Sequence, residues 1–125
     1  MPKILLVEDN EMNRDMLTRR LARHGFDVHC AEDGPTAVRM AEEVMPALIL
    51  MDVALGQMDG WEATGLIKGR ASTNSIPIIA LTAHALASDR ARSVEVGCAD
   101  FDTKPVDLPR LLGKISACLS AAPQA

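Results

Sequence analysis

Three carboxylates, one hydroxyl and one ammonium stand directly after short apolar runs of this sequence. Glu8 and Asp9 follow the first run, Asp52 another, Thr82 a third, and Lys104 closes a later one. Carboxylates that crowd together repel one another, and both like charge and desolvation raise their proton affinity. A bound cation relieves that repulsion. All-oxygen ligands with room for water suit Mg²⁺, which prefers octahedral geometry.

The same five side chains could carry out phosphoryl transfer to a protein carboxylate. A carboxylate is a competent nucleophile toward phosphoryl groups and forms an aspartyl phosphate. With Mg²⁺, the ammonium of Lys104 and the hydroxyl of Thr82 can neutralise the equatorial oxygens of the transferring group. The sequence contains no Ser-His-Asp arrangement and no glycine-rich phosphate loop before a helix. This chemistry requires that the five side chains meet in space.

The apolar runs alternate with helical patterns, and this alternation predicts five β–α units. Strands are predicted at Lys3–Val7, Phe26–Ala31, Ala47–Met51, Ile76–Leu81 and Asp100–Lys104. Helices are predicted at Glu11–His24, from Gly34-Pro35 to about Met45, at about Gly60–Lys68, within Ala85–Val96, and from the Asp107 cap to Leu119. In the first helix, Met12, Met16, Leu17 and Leu21 are predicted to share one side, and Gly25 to end it.

Continuous apolar strands separated by helices are typical of a parallel sheet covered on both faces. Right-handed crossovers leave few topologies for such a chain. Ligands of these sheets bind beyond the carboxyl ends of the strands, at a topological switch point. We therefore expect the residues that follow the strands to converge on one edge, which is where the five polar side chains stand.

Length and composition limit the classes of protein that this chain could represent. Its 125 residues, 13.4 kDa and 48% hydrophobic content suit one globular domain, predicted at residues 1–120 with a short flexible tail at 121–125. A catalytic domain plus an effector domain would not fit. The net charge of −4 does not favour direct nucleic-acid binding. No apolar run approaches the roughly 20 residues of a membrane span.

The cysteines and the amino terminus favour a cytoplasmic protein. Cys30, Cys98 and Cys118 are odd in number and widely spaced, so they form neither a disulfide framework nor a CxxC metal pair. Three small buried thiols in a reducing compartment are expected instead. The apolar run after Lys3 is too short for the core of a signal peptide.

Four segments in this order resemble the receiver domains of two-component response regulators. The segments are KILLVEDN at 3–10, MDVALGQMDG at 51–60, IIALTAHA at 78–85 and the Lys104-Pro105 pair. The resemblance extends over about Pro2 to Leu119, with spacings of 43, 30 and 22 residues between Asp9, Asp52, Thr82 and Lys104. It implies a doubly wound, flavodoxin-like (βα)5 fold with a five-stranded parallel sheet of order 2-1-3-4-5.

The resemblance assigns the acidic residues to a phosphoacceptor site. It implies that Asp52 accepts a phosphoryl group from a phosphohistidine of a histidine kinase or histidine phosphotransfer protein. Glu8 and Asp9 match the family's acidic pair, which holds Mg²⁺ together with Asp52 and the main-chain carbonyl of Ala54. The pair is Glu-Asp rather than Asp-Asp, a common variant.

The resemblance also implies a conformational switch. Thr82 and Lys104 match the family's switch hydroxyl and phosphoryl-binding lysine. Phe101 matches the switch aromatic, three residues before the lysine. The Lys104-Pro105 peptide bond is expected to be cis, a state largely confined to proline. A phosphoryl group on Asp52 would draw Thr82 toward it and let Phe101 move inward, changing the surface of the fourth helix, fifth strand and fifth helix.

These implications favour a single-domain response regulator, monomeric by default, that catalyses only its own phosphorylation and dephosphorylation. Its output would be contact with a downstream protein target or onward transfer in a phosphorelay. EDNEMNRDML at 8–17 resembles receivers attached to hybrid kinases and their single-domain relatives, so an excised receiver domain stays open. A small Mg²⁺-dependent phosphatase with an aspartyl nucleophile is a further alternative, although Ala54 stands where such enzymes carry a general acid.

The chain departs from the family pattern around the acceptor. Leu55-Gly56 replaces a frequent Met-Pro, which should loosen this loop. Ala54 places a methyl group where larger polar residues are common, and His84 is also unusual. These positions flank the path of water to a phosphoryl group, so the lifetime of the phosphorylated state stays open. A flavin module of similar fold is disfavoured because Glu8-Asp9-Asn10-Glu11 would repel phosphate.

Overall fold

Alternating strands and helices build one open sheet in the computed structural model of the chain, which describes residues 1–56, 58–83 and 87–120. The strands are β1 (Lys3–Val7), β2 (Asp27–Ala31), β3 (Leu48–Asp52), β4 (Ile78–Thr82) and β5 (Asp100–Thr103). The helices are α1 (Glu11–Arg23), α2 (Gly34–Val44), α3 (Gly60–Lys68), α4 (Ala87–Val96) and α5 (Leu108–Ser120). This is the predicted order of five β–α units.

The strands are all parallel and lie in the order β2-β1-β3-β4-β5, which confirms the predicted topology. Val7 at the end of β1 pairs with Met51 of β3, and Asp52 pairs with Leu81 of β4. Thr82 in turn pairs with Thr103 of β5. The carboxyl ends of four neighbouring strands therefore lie at one edge of the sheet.

The continuous apolar strands are explained by two cores, one on each face of the sheet. Alternate strand residues face opposite sides, so each strand supplies both cores. One core joins the sheet to α2 and α3, with Leu5, Val7, Ile49, Met51, Ala37, Ala41, Ala63 and Ile67 among its members. The other joins it to α1 and α5, with Ile4, Leu6, Leu50, Leu81, Leu17, Leu21, Leu111 and Ile115. In α4, by contrast, the buried side chain is Ser93.

Side-chain caps start the helices within a few residues of the strand ends. Asn10, Asp33 and Asp59 each accept a hydrogen bond from the backbone N–H three residues on, at the starts of α1, α2 and α3. The predicted cap of α5 by Asp107 is confirmed by a 3.2 Å bond to its carboxylate from the backbone N–H of Arg110. Gly25, with a φ of 88°, follows α1 as predicted.

Several details of the sequence interpretation are corrected. β2, β3 and β4 begin one or two residues later than predicted, and β3 and β4 include Asp52 and Thr82. Met12 and Met16 are 81% and 48% exposed, so they do not share the buried side of α1 with Leu17 and Leu21. Residues 12 and 16 lie on one line of the helix, about 140° around its axis from the line of 17 and 21. The predicted tail at 121–125 lies outside the described residues.

Two further expectations concerned buried cysteine thiols and the lack of a membrane span. Cys30, Cys98 and Cys118 are partly rather than fully buried, and all three are free thiols. Burial raises the pKa of the Cys98 thiol to about 11. Within the described part of the chain, every helix is too short or too polar to cross a membrane.

A close backbone approach holds the start of α3 against the end of β3. The backbone N–H of Gly60 donates to the carbonyl of Val53 at 3.1 Å. A Cβ at Gly60 would lie 2.6 Å from the Cα of Val53 and clash with the Asp52 carbonyl oxygen. Only a glycine fits this contact without movement of the segment that carries Asp52.

We predict that Gly60→Ala lowers the free energy of unfolding by about 1–3 kcal/mol, because backbone atoms must move to admit the methyl group. Gly65→Ala in the same helix is the control, since a Cβ there meets nothing within 4 Å. It should raise stability by up to about 1 kcal/mol. Urea unfolding of both variants measures the difference, and equal effects would contradict the close-contact explanation.

Candidate functional site

Three carboxylates meet at the carboxyl edge of β1 and β3. Glu8, Asp9 and Asp52 each offer an oxygen, and the three oxygens lie within 4.8 Å of one another. Glu8 and Asp52 are 5% and 2% exposed, whereas Asp9 faces solvent. Such an all-oxygen set, open to water on one side, matches the ligand chemistry of Mg²⁺. The residues that follow β1 and β3 are therefore brought together as predicted.

Local contacts hold the turn after β1 in place. The backbone N–H of Asn10 donates to Oε2 of Glu8 at 3.3 Å, while the side chain of Asn10 caps α1. Arg14, one turn into α1, donates to the Glu8 carbonyl at 2.9 Å. The Glu8 carboxylate is thus fixed between a strand end and a helix start, and Asp9 follows it in the same turn. Arg14 was not singled out from the sequence.

Lys104 links two of the three carboxylates. Its Nζ donates to Oε1 of Glu8 and to Oδ2 of Asp52, each at 2.9 Å. Its backbone N–H donates to the Thr82 carbonyl at 2.7 Å, which continues the β4–β5 ladder by one residue. The Lys104-Pro105 peptide bond is cis, as the resemblance implied. The ammonium therefore lies beside the carboxylate that the sequence interpretation assigned as the acceptor.

The two oxygens of Asp52 have different partners. Oδ2 accepts from Lys104, and Oδ1 accepts from the backbone N–H of Ala54 at 3.0 Å. Ala54 is exposed, two residues beyond the strand end. Thr82 is buried at the end of the neighbouring strand β4. A group attached to Asp52 would thus be flanked by the ammonium, a backbone N–H and the β4 strand end. His84 lies outside the described residues.

Burial and charge act against each other on the ionisable groups of the site. Burial, together with the hydrogen bond to Asp52, raises the pKa of Glu8, and the neighbouring Lys104 only partly offsets this. Burial alone would lower the pKa of Lys104. Contacts with Glu8 and Asp52 outweigh it, so the pKa of Lys104 is raised. The ammonium is therefore firmly charged, while the crowded carboxylates gain from any additional cation.

Phe101 lies in β5, three residues before Lys104, but outside the acidic cluster. Its half-buried ring is flanked by two cations, with the guanidinium of Arg90 in α4 at 4.9 Å from the ring centre and Nζ of Lys114 in α5 at 5.7 Å. Lys114 also donates to the Phe101 carbonyl at 2.7 Å. These distances suit cation–π contact. The sequence interpretation missed both cations, because they come from helices distant in the chain.

A groove opens beside the acidic cluster, between α1 and the connection from β5 to α5. Its volume is about 580 Å³, and Glu8 and Lys104 form one end. Further along, it is lined by Met16, Leu17 and Arg20 of α1, and by Pro105 and Val106 of the connection, among others. The partly exposed Met16 is thus a wall of this groove rather than part of the core.

Comparisons with known sequences agree with this architecture. The sequence profile of the family described as "Response regulator receiver domain" matches residues 4–116. Polar-differentiation response regulator DivK of Brucella anthropi is 35% identical over 123 residues, which cover 98% of this chain and all of DivK. Response regulator PleD of Caulobacter vibrioides is 37% identical over 113 residues, but the chain spans only about a quarter of the length of PleD.

Two solved receiver structures are close to this one. The receiver domain of a signal transduction histidine kinase from Syntrophus aciditrophicus has a TM-score of 0.91 at 32% identity, covering 100% of this chain and 95% of that one. The receiver domain of sensor histidine kinase PA1611 from Pseudomonas aeruginosa has a TM-score of 0.89 at 37% identity, covering 96% and 98%. That domain has a magnesium ion coordinated in its active site cleft.

A parallel sheet of this order, with an acidic cluster and a lysine at its carboxyl edge, defines the flavodoxin-like receiver class of signalling domains. The family profile and the near full-length match to DivK make the assignment specific. The chain belongs to the response regulator receiver domain family of two-component signalling.

We predict that Glu8→Gln changes how stability depends on pH in metal-free protein. Because the folded pKa of Glu8 is raised above its ordinary value near 4.5, the folded state binds this proton more tightly than the unfolded chain. Stability contributed by the protonated group is therefore lost as pH rises above about 4.5 and through the raised folded-state pKa. Glutamine cannot ionise, so the unfolding free energy of the variant minus that of wild type should increase as pH rises above about 4.5.

Urea unfolding in the presence of a chelator at several pH values measures this difference. Glu95→Gln, at an exposed position of α4, is the matched control and should show a smaller trend. A difference for Glu8→Gln that stays flat or decreases with pH would contradict the proposed cause.

Proposed function

We propose that Asp52 accepts a phosphoryl group from a phosphohistidine of a histidine kinase or histidine phosphotransfer protein. The main support is the contact of the Lys104 ammonium with Oδ2 of Asp52 at 2.9 Å, inside a cluster of three carboxylates. An ammonium beside a buried carboxylate can bind the oxygens of an attached phosphoryl group and offset their charge.

The carboxylates of Glu8, Asp9 and Asp52 are proposed to hold Mg²⁺, together with the main-chain carbonyl of Ala54. The fit rests on the oxygen-only donor set, the mutual spacing within 4.8 Å and the exposure of Asp9, which leaves access for water ligands. When bound, Mg²⁺ supplies positive charge to the oxygens of the phosphoryl group. Its removal should therefore prevent phosphorylation.

The protein's own groups prepare Asp52 for attack. The Ala54 N–H and Lys104 fix the orientation of the carboxylate from its two oxygens. One oxygen forms the new P–O bond as the P–N bond of the donor breaks and the imidazole leaves. Lys104 then bonds a phosphoryl oxygen in place of a carboxylate oxygen, and the Thr82 hydroxyl donates to another. The chain thus catalyses its own phosphorylation and dephosphorylation, without turnover of a separate substrate.

The signal is proposed to pass from Thr82 and Lys104 to Phe101. The backbone N–H of Lys104 donates to the Thr82 carbonyl, and Lys104 follows Phe101 by three residues in the chain. Movement of Thr82 toward the phosphoryl group would free space for the ring and alter its contacts with Arg90 and Lys114. The surface of α4, β5 and α5 would then change its affinity for a downstream protein. Onward transfer of the phosphoryl group is the other output.

The groove of 580 Å³ is proposed to receive the histidine-bearing helix of the phosphodonor protein. A donor imidazole must reach Asp52, and the groove ends at Glu8 and Lys104 beside it. Met16, Leu17 and Val106 offer apolar contact, and Arg20 adds a positive charge at the outer part. An amphipathic helix laid in a hydrophobic groove is a recurrent binding mode. No direct contact with nucleic acid or insertion in a membrane is required, and we propose a cytoplasmic monomer.

We predict that incubation with Mg²⁺ and phosphoramidate adds one phosphoryl group, measured by intact mass. The addition should fail without Mg²⁺ and in Asp52→Asn. Asp15→Asn, an equivalent change at an exposed residue of α1, is the matched control and should behave as wild type. A folded Asp52→Asn variant that is phosphorylated at the normal rate would refute the acceptor assignment. Steady hydrolysis of phosphomonoesters, lost in Asp52→Asn, would instead support the phosphatase alternative.

A second prediction separates donor docking from chemistry. The double variant Met16→Ala/Arg20→Ala should slow transfer from a phosphorylated histidine phosphotransfer protein by about tenfold, because interface anchors dominate binding. Its phosphorylation by phosphoramidate should be unchanged, since neither residue contacts Asp52.

The matched control is Arg39→Ala/Met45→Ala, in α2 and directly after its end, because Met45 is 51% exposed against 48% for Met16. The control should leave both reactions unchanged. Equal slowing by the two double variants, or slowing of the phosphoramidate reaction by Met16→Ala/Arg20→Ala, would refute the docking surface.

A further inference from the structure

Asp102 is a buried carboxylate that the phosphoacceptor site does not use. It stands in the middle of β5, pairs with Leu81 and is 4% exposed. Leu81 belongs to the core formed with α1 and α5. A charged group in such a place is costly unless it is paired and hydrogen-bonded. A buried Asp102 carboxylate therefore requires a group that compensates its charge.

Oδ1 of Asp102 accepts from the backbone N–H of Thr103 at 2.8 Å, and its cationic partner is Arg110, in the first turn of α5. Its Nε donates to Oδ1 of Asp102 at 2.8 Å, and its Nη2 donates to Oγ1 of Thr103 at 3.3 Å. Its Nη1 lies 3.8 Å from the carboxylate of Asp107, the cap of α5. One guanidinium thus touches the end of β5 and the start of α5. Oδ2 of Asp102 is buried and lacks a hydrogen-bond partner within the described residues, so Arg110 is the cation that compensates this charge there.

We call the contact between Asp102 and Arg110 the β5–α5 clamp. It joins the two ends of the chain segment that carries Lys104. Lys104 and Pro105 lie between the two clamp residues in the chain. The backbone of Lys104 is held on one side by the Thr82 carbonyl. After Pro105 the chain turns directly into α5, whose start is held by Arg110. Both ends of the short connection are therefore tied to the sheet.

We propose that the β5–α5 clamp positions Lys104, so that its ammonium stays within reach of Asp52 and of a phosphoryl group bound there. This inference rests on the proposed phosphoacceptor function. Asp102 and Arg110 are positioning residues, because they act through Lys104 and touch neither Asp52 nor Glu8. A lysine side chain has four rotatable methylene links, so a fixed backbone is needed to keep its ammonium at one place.

The test variant is Asp102→Asn/Arg110→Gln, which removes the clamp without leaving a buried charge unpaired. The double change keeps the net charge constant. Arg39→Gln/Glu43→Gln is the matched control, because it removes an ion pair of 3.5 Å on the exposed side of α2 and also keeps the net charge. Circular dichroism establishes that both variants are folded. If the test variant is unfolded, Arg110→Lys replaces it, since lysine keeps the charge beside Asp102 but loses the fork.

Two readouts are compared. With Mg²⁺ and phosphoramidate, the rate of phosphorylation should fall about three- to tenfold in the test variant, because the charged hydrogen bond from Lys104 to the transition state is weakened but not removed. Acylation of Lys104 by a succinimidyl ester, measured by peptide mass against the exposed Lys3, should increase, because the ammonium leaves Glu8 and Asp52 more often. The control should change neither quantity.

A third comparison shows whether the effect passes through Lys104. In a Lys104→Ala background, adding Asp102→Asn/Arg110→Gln should slow phosphorylation no further. Further slowing there, or unchanged Lys104 acylation in the test variant, would overturn the clamp and leave a general structural role. If wild type itself is not phosphorylated, the proposed function fails. The acylation of Lys104, which needs no phosphodonor, then still decides whether the clamp positions it.

Discussion

Two buried carboxylates share one ammonium at the carboxyl edge of this sheet, and the rest of the structure is arranged around that contact. Glu8 and Asp52 are so close that their ionised carboxylates repel each other. The ammonium of Lys104 stabilises both charges, at 2.9 Å from each carboxylate. The stabilisation is incomplete, as the raised pKa of Glu8 indicates. The site therefore carries excess negative charge, which a divalent cation or a compensating rearrangement can neutralise. Strand order, caps and the close approach of Gly60 all serve to hold these charges together.

Most of the fold and the core of the site were predictable from the sequence. Buried parallel strands appear as continuous apolar runs, and the residue after each run must lie at one edge of the sheet. The positions of Glu8, Asp9, Asp52, Thr82 and Lys104 at one edge of the sheet were predictable in this way. Glu8 and Lys104 are 96 positions apart, and the strand order predicts only that they lie at the same edge of the sheet. Their contact across β3 and β4 depends on the length of the lysine side chain.

Other features depend on which helix face is buried and on how separate elements pack together, and the local sequence pattern does not determine either. The exposed Met12 and Met16 fit the apolar spacing of α1 but lie about 140° around the helix axis from its buried residues. Arg90 and Lys114 reach the Phe101 ring from two different helices, and only tertiary packing decides that. Asp102 could not be singled out either, because Asp100 stands two residues earlier in the same four-residue strand and only packing shows which of the two is buried. Its partner, eight residues later, could not be chosen from the sequence among several basic side chains.

The weak attachment of α4 has a consequence for the cost of signalling. Its buried side chain is the small polar Ser93, whereas α2 and α5 each bury two or more apolar side chains. A helix that places little apolar surface against the sheet can change its position at a small free-energy cost. Under the proposed function, the few hydrogen bonds of one phosphoryl group would supply a correspondingly modest free energy. The free energy gained at Asp52 would then be similar in size to the cost of moving α4, and both hydrophobic cores could keep their packing.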